Sequence, residues 1–210
     1  MTLLTTGNSK LMKTGKKHNA ICAVFSLPAQ ATCPRAGVCR KYCYASYGTY
    51  LFRQVFAHAH GNFRASKRDD FVALMQVEID ALRRKAKGRN IYVRLHDSGD
   101  FYNATYIHKW TQIVANNPDV EFYAYSKSHV NVSSSGLQLF CNWTLIPSQG
   151  GKDDTAIKGP CAIVVPTGTT RLPANTVFGD AGDDLYTVKM VRQGKSVALV
   201  AHGVAKRRVV

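Results

Sequence analysis

The order of apolar strands and amphipathic helices constrains the fold of this 210-residue chain more than any other feature. Segments 19–27, 90–95 and 120–125 are apolar and rich in β-branched or aromatic residues, which predicts strands. Helical patterns separate these strands. Because strands that alternate with helices pair in parallel, the order predicts an α/β protein on a parallel sheet. At this length we expect a single α/β domain over 18–210, preceded by a basic, loosely ordered arm over 1–17.

The clearest helical pattern lies over 71–82, where large apolar residues recur at helical spacing. Ser66 and Asp69 predict a capping box at the start of this helix, and Gly88 predicts its end. The other predicted elements are helices over 51–61 and 103–116 and short strands over 142–146, 161–165, 176–178, 185–190 and 196–201.

Three cysteines, Cys33, Cys39 and Cys43, follow the first predicted strand with the spacing C-x5-C-x3-C. Clustered thiolates without a nearby fourth ligand are typical of a metal or iron–sulfur centre with one open position. Disulfides fit less well, because six cysteines are spread over 210 residues and no secretory signal pattern precedes them. We therefore expect a metal or cluster site in a reducing, cytoplasmic compartment, with Cys161 as the candidate fourth ligand.

Polar side chains come directly after several predicted strands. His96 follows the second strand, Lys127 follows the third and Asp180 follows the strand over 176–178. The carboxyl ends of parallel strands meet at one edge of a sheet, where ligands bind. These three side chains are therefore candidate substrate-binding residues.

The chain is strongly basic, with 28 Lys and Arg against 13 Asp and Glu and a formal charge of +15. This charge attracts polyanions, so an anionic partner is expected, either nucleic acid or a phosphorylated substrate. The basic residues are dispersed along the sequence, and no helix-turn-helix, zinc-finger or RNP-type motif accompanies them. The longest apolar runs are too short to span a bilayer, so no membrane partner is expected.

The cysteine segment also resembles a known family. Its pattern C-x5-C-x3-C-Y-A is similar to that of small phage-encoded proteins related to the radical S-adenosylmethionine (SAM) enzymes. The loop after the second strand, 94–101, is similar to theirs, and the resemblance covers residues 20–180. The residues that carry the cysteine pattern are Cys33, Cys39, Cys43, Tyr44 and Ala45.

This resemblance implies an incomplete (β/α)6-type barrel with a cluster loop after the first strand. The three cysteines would hold a 4Fe–4S cluster, with an open iron for SAM or another ligand. Ser98, Gly99 and Asp100 stand where the family contacts the SAM amino group, and Tyr42 is the aromatic residue before the last cysteine. An active enzyme of this type needs an electron donor, and its location would be the host cytoplasm. Substrate and reaction are not indicated, and whether the chain is an enzyme stays open.

Two other functions stay open on the sequence. One is a zinc-stabilised nucleic-acid-binding module that uses the three cysteines and one histidine, with the positive charge serving phosphate contact. The other is a cluster-binding or electron-transfer protein without SAM chemistry.

Overall fold

The computed structural model describes residues 2–201, in which strands and helices alternate as predicted for an α/β protein. Residues 202–210 of the predicted domain lie outside this range. The helices and strands are α1 (Ser9–Lys17), β1 (Ala20–Phe25), α2 (Arg53–Lys67), α3 (Phe71–Ala86), β2 (Asn90–Leu95), α4 (Ala104–Ala115), β3 (Val120–Ser126), α5 (His129–Ser133), β4 (Trp143–Pro147), β5 (Ala162–Val165), β6 (Thr176–Phe178), α6 (Asp184–Arg192) and β7 (Ser196–Val200).

The first four strands form one parallel sheet in the order β1-β2-β3-β4. Phe25 at the end of β1 pairs with Leu95 of β2, which pairs in turn with Ala124 of β3. At the outer edge of β1, Thr5 pairs with Val24 through two backbone hydrogen bonds of 2.9 Å. The four carboxyl ends therefore lie along one edge of the sheet, where the loops that follow them meet.

Helices cover both faces of this sheet. Alternate strand residues such as Phe25, Val93 and Phe122 pack against α3 and α4 in the main core. On the opposite face, Leu11 of α1 packs against β1, and Leu185 of α6 packs against β3 and β4. Because both faces are covered, all six residues of β1 are buried.

The prediction of an incomplete (β/α)6-type barrel is wrong. The seven strands of residues 2–201 form two separate sheets, the second with three parallel strands in the order β5-β7-β6. In a barrel, one face of the sheet curls around the interior, whereas here α1 and α6 lie on that face. The second sheet adjoins β4 through a bridge between Ser148 and Ala162.

The local predictions fared differently. The strand over 90–95 is confirmed, whereas 185–190 is not a strand but part of α6. Asp183 begins that helix by accepting hydrogen bonds from the amides of Leu185 and Tyr186. The Ser66 capping box is also wrong, because Ser66 lies inside α2 and its hydroxyl donates to a carbonyl of the same helix.

The segment predicted as a basic arm contains α1. Asn8 caps this helix by accepting hydrogen bonds from the amides of Lys10 and Leu11. Within residues 2–201, no helix combines the length and apolar character needed to cross a membrane.

Candidate functional site

The cysteine loop, defined as residues 33–43, lies over the carboxyl edge of the four-stranded sheet. A strap from the loop after β4 holds it there, because the Gly150 carbonyl accepts hydrogen bonds of 3.1 Å from the amides of Gly37 and Cys39. Gly150 has a φ of +98°, and a Cβ there would lie 2.8 Å from the Tyr42 hydroxyl. An ion pair between Arg35 and Asp153 ties the same two loops together. Backbone hydrogen bonds and one ion pair therefore join the cysteine loop to the loop after β4.

Cys33, Cys39 and Cys43 come close enough together to influence one another electrostatically. Burial raises the pKa of the Cys33 thiol to about 12, and the negative charge of Asp100 adds to this shift. Burial also raises the pKa of Cys39, although the ammonium group of Lys127 opposes it. Both thiols are therefore protonated and neutral near pH 7.

The described part of the chain, residues 2–201, contains no group of three or more His, Cys, Asp or Glu side chains that could hold a metal ion. The arrangement does not fit a cluster, so the interpretation as an iron–sulfur or metal-binding protein is wrong. That correction rests on the positions of the ligand side chains. Binding of the predicted cofactors, a 4Fe–4S cluster and SAM, is a separate question that no observation tests, and it stays a prediction. Cys161, the candidate fourth ligand, lies in the core of the second sheet beside Ser196.

The predicted Ser98-Gly99-Asp100 motif joins neighbouring loops. The Ser98 hydroxyl donates to the Leu27 carbonyl at 2.7 Å, which ties the loop after β2 to the loop after β1. Asp100 is buried and its carboxylate accepts hydrogen bonds from the Ser126 hydroxyl at 2.7 Å and from the Lys127 amide at 2.9 Å. Two further amides, those of residues 101 and 128, donate to the same carboxylate.

These hydrogen bonds give Asp100 a positioning role between the loops after β2 and β3. Desolvation raises the pKa of its carboxyl group, while the hydrogen bonds from Ser126 and the backbone oppose the shift.

Of the candidate substrate-binding residues, only Lys127 is placed beside the cysteine loop. Its ammonium group donates to the Ser148 hydroxyl at 2.9 Å, which connects the loops after β3 and β4. His96 is buried, and its Nε2 lies 2.8 Å from the Tyr106 hydroxyl. Asp180 pairs with Lys17, which lies three residues before Ala20, the first paired residue at the amino end of β1. Asp180 therefore lies away from the cysteine loop.

Beside the cysteine loop lies an exposed surface that the sequence analysis did not predict. All seven residues from Leu51 to Ala57 are exposed, and the exposed fractions reach 64% for Leu51, 63% for Phe52 and 55% for Phe56. Large apolar side chains are usually buried, so an exposed cluster indicates a binding surface.

The exposed start of α2 continues into a stripe along the helix. Arg53, Phe56, His60 and Arg64 recur at spacings of three, four and four residues, which places them on one helix face. The rings of Phe56 and His60 are in contact, with their centroids 4.2 Å apart and their planes at 37°. The basic aromatic face is the name we give to the half-buried side chain of His60 together with the exposed side chains of Leu51, Phe52, Arg53, Phe56 and Arg64.

Charge sets this part of the chain apart. Residues before Asp69 include eleven Lys and Arg and no Asp or Glu. Lys and Arg are therefore dispersed along the whole chain, as the sequence analysis noted. Asp and Glu, in contrast, occur only from Asp69 onward. The absence of Asp and Glu before Asp69, compared with the even spread of Lys and Arg, is the sequence signal that could have identified this surface.

The fold and these surfaces define a two-sheet parallel α/β protein with a strapped cysteine loop and a basic aromatic face. The profile of the gene product 88 family matches residues 2–208, so the chain belongs to that family. The resemblance to radical-SAM enzymes is therefore wrong: the family match is a different one, and neither the fold nor the cysteines supply the barrel or the ligand group.

Two relatives are phage proteins. The chain is 32% identical over 105 residues to the gene 88 protein of Mycobacterium phage L5 and 28% identical over 103 residues to that of Mycobacterium phage D29. Each match covers 46% of this chain, and 43% and 42% of the respective relatives. The chain thus matches less than half the length of these relatives. No solved structure matches the chain.

Proposed function

We propose that this protein binds single-stranded nucleic acid through the basic aromatic face. The observation that carries the proposal is the coincidence of exposed rings with a segment free of negative charge, since no Asp or Glu precedes Asp69. Proteins that bind single strands combine cations that track the phosphates with aromatic rings on which bases stack.

The α2 stripe supplies both kinds of group. Arg53 and Arg64 are exposed cations at its two ends, eleven residues apart, which corresponds to roughly 16 Å along a helix. Phe56 and His60 lie between them as two rings in contact, tilted by 37° to one another. The order cation, ring, ring, cation suits a strand whose phosphates lie at the ends and whose bases lie over the middle.

A single strand fits this surface better than a duplex. In a duplex, the flat faces of the bases are already stacked on one another, whereas a single strand offers them to protein rings. The exposed rings of Phe52 and Phe56 can stack on unpaired bases, whereas the bases of a duplex offer them no free face. Because the relatives are phage proteins, we place this binding in the host cytoplasm.

The test is a charge reversal with a matched control. Fluorescence anisotropy with a labelled oligothymidylate would compare the wild type with the double variant Arg53→Glu/Arg64→Glu. The control, Lys158→Glu/Lys195→Glu, changes the net charge equally at two exposed lysines outside the face. We expect the face variant to lose roughly 30-fold or more in affinity and the salt slope to fall by about 1.4, which corresponds to two lost phosphate contacts.

The control variant should bind within about threefold of the wild type. Equal losses in the two variants would mean that net charge alone attracts the strand, and tighter binding to a duplex would contradict the preference for single strands. Either result would overturn the proposal.

A further inference from the structure

We infer that the groove beside α2 holds one unstacked base of the bound strand, an inference that rests on the proposed function. The groove has a volume of about 300 Å³ and runs between α2 and the loop that follows β1. Its walls include Leu27, Gln30, Ser46, Tyr50, Phe56 and His60.

The walls of the groove suit a flat heteroaromatic ring. Phe56 and His60 belong both to the groove and to the α2 stripe, so a strand that follows the stripe passes the groove mouth. Tyr50 adds a third ring, held edge-to-face against Tyr44 with centroids 5.6 Å apart. Aromatic walls on a groove of this volume leave room for a single base.

Polar groups in the groove can meet the edge of a base. The Gln30 amide donates to the Ser46 hydroxyl at 2.9 Å, and both residues line the groove. An amide and a hydroxyl offer donors and acceptors together, which suits the mixed edges of nucleobases. The floor is fixed, because the Ser98 hydroxyl donates to the Leu27 carbonyl at 2.7 Å.

Charge identifies the occupant as part of a polyanion. No Asp or Glu lines the groove, and Lys and Arg are the charged residues of the chain before Asp69. One buried carboxylate, that of Asp97, adjoins the groove and accepts a hydrogen bond from the Tyr50 hydroxyl at 3.4 Å. A neutral ring attached to phosphates satisfies the apolar groove and the surrounding cations together. An apolar peptide would fill the groove but would offer no negative charge to the cations of the basic aromatic face.

The experiment maps the contact by photocrosslinking. An oligothymidylate of about twelve nucleotides, a length within the range for one binding surface, would carry a single 4-thiothymidine. After irradiation of the full chain with this probe, mass spectrometry should locate the crosslink within residues 45–60, at Tyr50, Phe56 or His60. Crosslinks confined to other segments would overturn the inference.

Affinity measurements give a second readout. Phe56→Ala should weaken binding about tenfold, since stacking of one base on an aromatic side chain contributes on this scale. Phe178→Ala is the matched control, because Phe178 is an exposed phenylalanine on β6 that belongs neither to the basic aromatic face nor to the groove. It should lose less than about threefold.

An oligonucleotide of the same length with abasic sites separates this inference from the proposed function. If it binds the wild type as tightly as oligothymidylate does, with the same salt slope, the face binds phosphates but the groove takes no base. If neither probe binds, the proposed function itself is wrong.

Discussion

His96 is buried and neutral in the folded protein. Its exposed fraction is 3%, its ring packs edge-on against Phe101, and its Nε2 meets the Tyr106 hydroxyl. Desolvation, together with the positive charge of Arg94, lowers the pKa of His96 from 6.5 to about 3. The residue thus belongs to the core and couples protonation to unfolding.

Replacement of His96 should reduce the pH dependence of the free energy of unfolding below pH 6.5. Since the folded-state pKa lies below that of the unfolded chain, the contribution of His96 is complete above pH 6.5 and decreases as pH falls toward 3. The free energy of unfolding should decrease by about 1.4 kcal/mol for each pH unit in this window. His96→Asn removes the titrating group and tolerates the φ of +65° at this position.

Urea unfolding of both proteins in a series of buffers from neutral to weakly acidic pH would measure the slopes. Tyr106→Phe is the control, because it removes the hydrogen-bond partner and keeps the histidine. Equal slopes in wild type and His96→Asn would contradict the assignment.

The sequence placed His96 correctly at the carboxyl end of a strand but not in the core. Polar residues after strands are common at binding sites, and nothing in the local pattern distinguishes a buried histidine from an exposed one. What decides its burial is the packing of Phe101 and Tyr106, residues that follow it in the chain. That information is tertiary.

The contact between the loops after β1 and β2 depends on one glycine. Gly99 has a φ of +80°, and a Cβ at this position would lie 2.5 Å from the Leu27 Cβ and 2.5 Å from the Thr32 Oγ1. The loop after β2 therefore needs glycine where it crosses the loop after β1. The same crossing supports the floor of the groove beside α2.

Gly99→Ala should destabilise the protein through this steric overlap. Gly194→Ala is a matched control, because Gly194 has the same φ of +80° but no atom within 4 Å of an added Cβ. Both variants carry the strain of a left-handed alanine, so the difference between them measures the close approach. We expect Gly99→Ala to be less stable than Gly194→Ala by roughly 1–3 kcal/mol in denaturant unfolding.

Similar stability of the two variants would show that the loops can separate without cost. A loss of oligonucleotide crosslinking in folded Gly99→Ala would connect the crossing to the groove.

At the scale of elements, periodicity predicted most of the first sheet. The strand over 90–95 agrees residue for residue, and the predicted helix over 103–116 corresponds to α4. Periodicity gave the wrong element for α6, because the β-branched and apolar residues of the short run over 185–190 fit a strand as well as a helix. The deciding feature was the Asp183 cap, which lies before the run. Short apolar segments are ambiguous until their ends are identified.

Asp184 of α6 connects this helix to three other elements, α1, β2 and β3. Its carboxylate is fully buried and accepts from Lys10 of α1 at 2.8 Å, from Arg94 of β2 at 3.0 Å and from the Tyr123 hydroxyl of β3 at 2.8 Å. Although desolvation raises the pKa of Asp184, the charges of Arg94 and Lys10 outweigh it and lower that pKa to about 2.

Asp184→Asn should cost roughly 3–5 kcal/mol in the free energy of unfolding at neutral pH, because it leaves buried Arg94 without a counter-charge. Asp180→Asn is the control, since its ion pair with Lys17 is largely exposed, and this substitution should change the free energy of unfolding far less than Asp184→Asn does. Equal costs in urea unfolding would contradict the role assigned to the buried carboxylate.

Acid provides an independent check on Asp184. Its folded-state pKa lies below the ordinary value of 3.8, so its contribution is complete above that pH and is lost as pH falls toward 2. The stability difference between wild type and Asp184→Asn should shrink across this window.

The architecture of the whole molecule was predicted only in its class. An α/β protein with a parallel sheet follows from the order of elements, but closure into a barrel depends on what covers the second face. Here that cover comes from Leu11 and Leu185, which lie far apart in the sequence. The grouping of cations with exposed rings was likewise hidden until α2 was seen to present Arg53 and Phe56 on one side.

The antiparallel pairing of Thr5 with Val24 bears on how this protein behaves at high concentration. The strand β1 has a β-strand neighbour on one side only, and every one of its residues is apolar. An open apolar edge of this kind recruits strands from other chains and leads to aggregation. The two hydrogen bonds of Thr5 occupy that edge at Val24, near its carboxyl end, so a short peptide outside the named strands hinders neighbouring molecules from joining the sheet there.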